Sequence, residues 1–231
     1  MRGAAKAEIT GDEKRHPRTD KMVRGFFIIV MARKLLFLRH GDIGDEYSNR
    51  YIGSTDVSMS PHGHRQVSAI RQLLRKNEPC HCVSSPMKRC RETAAVITGA
   101  GDVKFTIDDD LREIDFGLWE GMTFDEIQEA FPGEVQRWAE LKADFIFPGG
   151  EKIADFRARI IGAARRLETH PADTIVVCTH GGVIRFLICH FLGLRARQYI
   201  LFKVQHASLT TIELFEGSGV LSGLNETGQV D

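Results

Sequence analysis

The sequence predicts an α/β fold, a three-layer α/β/α sandwich with a mostly parallel central sheet. Three observations predict it. Short apolar runs alternate with helical patterns along most of the chain. Two of the runs, Leu35-Leu36-Phe37-Leu38 and Ile175-Val176-Val177-Cys178, are apolar without interruption, as expected of strands buried on both faces. Both runs lead into His-Gly, at His40-Gly41 and at His180-Gly181. In open α/β sheets the crevice beyond the carboxyl ends of the strands is where ligands bind.

The first strand stops at Arg39-His40-Gly41. Arg39 offers a planar fork of donors suited to phosphate, and His40 a nitrogen nucleophile. Gly41 lets the backbone turn close to a ligand. Ser60-Pro61 opens a helix with Val67, Ile70 and Leu74 on one face. Cys80-His81-Cys82-Val83 reads as the second strand. Ser85 is suited to cap the next helix, with Pro86 at its first position and Met87, Cys90, Ala94 and Ile97 on its face. Arg89 then falls in the first turn, where free N–H groups and the helix dipole favour an anion.

Residues 103–107 read as an edge strand. The stretch Leu111-Arg112-Glu113-Ile114-Asp115-Phe116-Gly117-Leu118-Trp119-Glu120-Gly121 reads as a structured loop. Thr123-Phe124-Asp125-Glu126 is a capping box, and Pro132 stops the helix it opens. Ile153, Phe156, Ile160, Ala164 and Leu167 mark a long helix. After the strand that ends at His180, Val183, Phe186, Leu187 and His190 give a helical face closed by Gly193. Residues 207–215 form the last strand, and residues 217–231 are expected to be a loose tail. The domain is expected over 33–216. Residues 1–32 are expected to be a disordered extension, with Met31 or Met22 as the true start. Its apolar run Phe26-Phe27-Ile28-Ile29-Val30-Met31 is too short to span a bilayer.

Composition narrows the function classes. The chain has 31 Lys and Arg against 31 Asp and Glu, so no general affinity for nucleic acid or for a membrane is implied. Its five cysteines have no zinc spacing and read as buried free thiols in a cytoplasmic protein. His62, His64, His170 and His190 stand outside any motif, and His206, just before the last strand, reads as structural, with contact to the pocket as the alternative.

These pieces together resemble the histidine phosphatase superfamily, also called phosphoglycerate mutase-like. The resemblance runs from about residue 34 to about 215. It rests on Arg39-His40-Gly41, the Ser-x-x-x-Arg start from Ser85 to Arg89, the Leu-x-Glu-x-x-Phe-Gly loop from Leu111 to Gly117, and the second His-Gly at His180. Asn49-Arg50-Tyr51-Ile52-Gly53-Ser54-Thr55-Asp56 and Phe147-Pro148-Gly149-Gly150-Glu151 are similar to two further stretches of the family, and feel closest to its α-ribazole and broad-specificity phosphatase branch.

The resemblance implies a metal-independent phosphomonoesterase without a cofactor, acting on a small phosphorylated metabolite such as α-ribazole 5′-phosphate, as a monomer or homodimer. It makes His40 the nucleophile, Glu113 the acid and base, and Arg39, Arg89 and His180 the phosphate ligands. Asn49, Gly53 and Gly181 are the expected substrate contacts. Asp42 and Ile43 replace the usual Glu-Thr after Gly41, Glu46 replaces an Asn, and Lys152 follows Glu151 where a Ser is common. Mutase-type phosphoryl transfer is the alternative, disfavoured by the acidic, short connection between Glu113 and His180. A non-catalytic phospho-ligand module is a further one, disfavoured by the presence of both His40 and Glu113.

Overall fold

A computed structural model describes residues 33–74, 81–99, 105–140, 142–215 and 218–228. The expected extension at 1–32, together with Cys80 and Val103, lies outside the described residues.

Six strands form one sheet. They are β1 (Arg33–Arg39), β2 (His81–Ser84), β3 (Phe105–Ile107), β4 (Thr174–Thr179), β5 (Leu209–Phe215) and β6 (Ser218–Glu226), in the order β3-β2-β4-β1-β5-β6. Pairings from β3 to β1 are parallel, and β5 and β6 add antiparallel. Helices are α1 (Pro61–Leu74), α2 (Lys88–Thr98), α3 (Phe124–Ala130), α4 (Pro132–Ala139), α5 (Ile153–Glu168) and α6 (Gly181–Phe191).

The central strands alternate between two cores. Leu35 and Phe37 of β1, with Ile175 and Val177 of β4, pack in a core shared with α5 and α6. Leu36, Leu38, Val176 and Cys178 point the other way, against Val67, Ile70 and Leu74 of α1 and Ala94 of α2. An uninterrupted apolar run therefore serves both faces through its two-residue period.

Two local expectations are corrected and a third is extended. Met87, not Ser85, stands at the N-cap, and α2 begins at Lys88, still leaving Arg89 in the first turn. The Ser85 hydroxyl is instead engaged by His180. Pro132 ends one helix and opens the next, because a proline at the first helical position forfeits no intrahelical bond. The tail expected to be loose at 217–231 contains strand β6. Neither face of β6 is fully buried, so its Gly- and Ser-containing sequence lacks a strand pattern, and the free edge of β5 supplies the order.

Trp119 anchors the loop between β3 and α3. It is fully buried, with Tyr51, Trp138, Phe145 and Phe147 around it at centroid distances of 5.2–6.2 Å. Its indole Nε1 is buried without a hydrogen-bond partner. Trp119→Ala is expected to cost about 3–5 kcal/mol in urea unfolding. Trp119→Phe is expected to cost much less, since it removes a donor that bonds to nothing. Equal losses in the two variants would show that the indole N–H, not ring packing, matters there.

Candidate active site

The site lies where three parallel strands end side by side. Arg39 pairs with Thr179 in register, so His40 and His180 emerge together from β1 and β4. The His40 N–H donates to the Thr179 carbonyl at 3.0 Å, and the Ser85 N–H to the Cys178 carbonyl at 2.9 Å. The His40 and His180 rings are 5.2 Å apart, edge to face. The Ser85 hydroxyl bonds His180 Nε2 at 2.8 Å.

His40 Nδ1 lies 2.9 Å from the Gly41 carbonyl oxygen. A carbonyl only accepts, so Nδ1 carries the proton and Nε2 keeps its lone pair. The tautomer suited to attack at Nε2 is set by main chain, which is why no side-chain pattern signals it. Burial is the main cause that holds the His40 pKa well below the ordinary histidine value, with His180, Arg89, Arg39 and His206 adding to it. His180 is lowered likewise, by burial and then by Arg89, Arg39 and Arg159.

Both arginines are held by carbonyl oxygens. Arg39 Nη1 donates to Val204 at 2.7 Å, while Arg89 donates to Thr55 at 2.8 Å and to Gly53 at 2.9 Å. The Nε–H groups of Arg39 and Arg89 are buried with no partner. Burial pulls Arg39 down to about 10, opposed by Glu113, so it stays charged at neutral pH. Two unspent guanidinium donors beside two neutral imidazoles make a pocket for an anion with several oxygens.

Glu113 faces this pocket from the loop. Its Oε2 accepts from the Gly182 N–H at 2.9 Å, at the start of α6. Arg159 fixes the loop from α5, donating to the carbonyls of Asp110, Arg112 and Glu113 at 2.6–3.0 Å. Its other donors meet Glu151 at 2.8 and 2.9 Å. The Pro-Gly-Gly-Glu turn thus connects to Glu113 through one guanidinium.

The other expected residues divide. Asn49, at a positive φ of 58°, and Gly181 line a cleft of about 520 Å³ that opens from Arg39 and Glu113. Gly53 is not among its lining residues. A Cβ there would overlap the Ile114 carbonyl oxygen, so this loop packs on the next only with glycine. Glu120 accepts from the N–H groups of Gly53 and Ser54 at 2.8–3.1 Å and from the Thr55 hydroxyl at 2.7 Å. It thereby orders the segment whose carbonyls hold Arg89. Asp42, unexpected beside a phosphate site, accepts from the Ser60 hydroxyl at 2.6 Å and the Gly44 N–H at 3.0 Å.

His206, read from the sequence as structural with contact to the pocket as the alternative, is brought into the site. Its Nε2 accepts from Arg39 Nη2 at 2.7 Å, and its ring lies 5.2 Å from that of His40. Burial, then Arg39, lowers its pKa to about 4. Its only sequence signal is a position just before the last strand. Among the described residues Cys82, Cys90, Cys178 and Cys189 are free and buried, no cluster has metal-ligand geometry, and no helix is long and apolar enough to cross a membrane.

The histidines determine a stability dependence. His40, His180 and His206 have folded-state pKa values below their unfolded value of about 6.5. Between the two values the unfolded chain binds more protons, so stability falls as pH drops through 6.5 and continues to fall toward 4. The urea midpoint is expected to be lower at pH 5.0 than at pH 7.5, and His206→Gln to flatten that slope. A midpoint independent of pH over this range would mean that the buried rings titrate in the fold as they do in the unfolded chain.

The family model of the histidine phosphatase superfamily (branch 1) matches residues 35–227. The chain is 31% identical over 195 residues to phosphoserine phosphatase 1 of Hydrogenobacter thermophilus, covering 84% of this chain and 92% of the relative. It is 32% identical over 173 residues to the glucosyl-3-phosphoglycerate phosphatase of Mycolicibacterium vanbaalenii, covering 71% and 76%. The solved α-ribazole phosphatase of Shigella flexneri superposes with a TM-score of 0.77 at 23% identity, over 84% of this chain and 96% of that one, and shows the shared fold. The chain belongs to the histidine phosphatase superfamily, and its relatives' named activities support a phosphoric monoester hydrolase.

Proposed function

We propose that the protein hydrolyses a small phosphorylated metabolite without metal, through a phosphohistidine on His40. The observation that carries this reading is the fixed tautomer of His40, whose free Nε2 sits among buried donors that lack protein partners. The phosphoryl oxygens take the Nε–H groups of Arg39 and Arg89, with His180 beside them. His40 Nε2 attacks phosphorus in line, and the bond from phosphorus to the ester oxygen breaks. Glu113 gives its proton to that oxygen and the alcohol departs. Water then attacks the phosphohistidine, Glu113 takes its proton, and inorganic phosphate leaves with Nε2 restored.

Guanidinium and imidazole groups do here what a cation does in metal phosphatases. Asp115 and Glu120 are poorer candidates for the acid, because each carboxylate is occupied with its own loops. Phosphoserine and glucosyl-3-phosphoglycerate, named for the relatives, belong beside α-ribazole 5′-phosphate in a comparison of turnover.

His40→Ala is expected to retain less than about one per cent of wild-type turnover, since loss of a covalent nucleophile removes orders of magnitude. Trapping of labelled phosphate on wild type but not on the variant checks the intermediate. Turnover near wild type in His40→Ala would sink the scheme.

Glu113→Gln is expected to slow phosphoenzyme formation more with an alkyl phosphate than with p-nitrophenyl phosphate. A basic alkoxide needs the proton, and a nitrophenolate needs it little. Single-turnover measurement isolates that step. Equal losses on the two esters would assign Glu113 a positioning role only.

A further inference from the structure

We infer that Arg185 determines specificity by binding a carboxylate that the substrate carries beyond its phosphoryl group. The inference rests on the phosphomonoesterase reading and deepens it, naming phosphomonoesters of small carboxylic acids as the substrate class.

Placement comes first. Arg185 follows Gly181 and Gly182 by four and three residues on α6, so all three share one helical face. It lines the same cleft as Arg39 and Glu113. The Gly182 N–H holds the Glu113 carboxylate, and Arg185 sits three residues further on, about 4.5 Å along the axis. A carboxylate a few bonds from the ester oxygen spans that distance.

Bonding comes second. Arg185 Nε is buried without a hydrogen-bond partner, as are Arg39 Nε and Arg89 Nε at the phosphoryl pocket. The other arginines near the cleft are answered: Arg50 by Glu126 and Arg159 by Glu151. Among the described residues no carboxylate pairs with Arg185. A desolvated guanidinium donor that the fold leaves unspent is open to a ligand acceptor.

The kind of acceptor follows from the surroundings. Among the described residues Glu113 is the only carboxylate lining the cleft, against Arg39, Arg50, Arg185 and Lys203. Phe186 and Tyr199, stacked at 4.7 Å, flank Arg185 with rings that offer little competition from water. One planar fork matches one carboxylate in two-point contact. A second phosphoryl group would call for several unspent donors, as the first one finds in Arg39, Arg89 and the histidines, whereas Arg185 offers one buried unspent Nε–H.

The test compares O-phosphoserine with O-phosphoethanolamine, which differ by the carboxylate alone, on wild type, Arg185→Met and Arg185→Lys. In wild type, kcat/KM is expected to favour O-phosphoserine by about tenfold or more, the range of a charged hydrogen bond. Arg185→Met is expected to remove most of that preference through KM, and Arg185→Lys to restore part of it. The ratio is taken on one preparation, so any unfolded fraction cancels. A wild-type ratio near one, or a ratio unmoved in Arg185→Met, would overturn the inference while turnover of p-nitrophenyl phosphate kept the phosphatase reading. Failure of wild type to turn over any ester, p-nitrophenyl phosphate included, would overturn both.

Discussion

Positive charge buried without a matching carboxylate is the constraint on which the rest of this structure depends. Arg39 and Arg89 are held in place by the carbonyls of Val204, Gly53 and Thr55, which orient guanidinium groups without cancelling their charge. Three imidazoles share the same small volume and are held neutral by burial and by those cations. A dianion entering such a site meets donors already aimed and largely stripped of water, so little reorganisation is needed on binding. The same arrangement holds the His40 pKa well below the ordinary histidine value, which favours the neutral imidazole.

Carboxylates do their structural work one layer away. Glu120 gathers the N–H groups of the segment that presents carbonyls to Arg89. Glu151 and Arg159 pair on the far side of the Glu113 loop and tie it to α5. Asp42 turns to Ser60 at the start of α1. Each acidic side chain is satisfied by main-chain or hydroxyl donors, or by an arginine outside the pocket. None competes with a phosphoryl group for Arg39 or Arg89. Among the described residues Glu113 is the one carboxylate that lines the cleft.

Helix α6 carries both the Gly182 N–H that meets Glu113 and the Arg185 side chain that lines the cleft. Because α6 is packed on both core and sheet, with Val183, Ile184, Leu187 and Ile188 fully buried, the two groups keep a constant separation. In the proposed scheme, a rigid element carrying both is a ruler between the reacting centre and the remainder of the substrate.

The sequence by itself determined the strand ends. Uninterrupted apolar runs closing in His40-Gly41 and His180-Gly181 marked β1 and β4, and the carboxyl ends of parallel strands are where a site must lie. Helical spacing likewise marked α1, α5 and α6, whose apolar faces are continuous. Tertiary structure alone decided what depends on contacts between distant segments. It set the His40 tautomer through a carbonyl, brought His206 from before β5 onto Arg39, and turned Ser85 from a helix cap into a partner of His180. It also ordered β6, whose residues carry no strand pattern, by offering the open edge of β5. Main-chain acceptors and sheet edges have no residue code of their own, so their effects come into being only when the chain has folded around them.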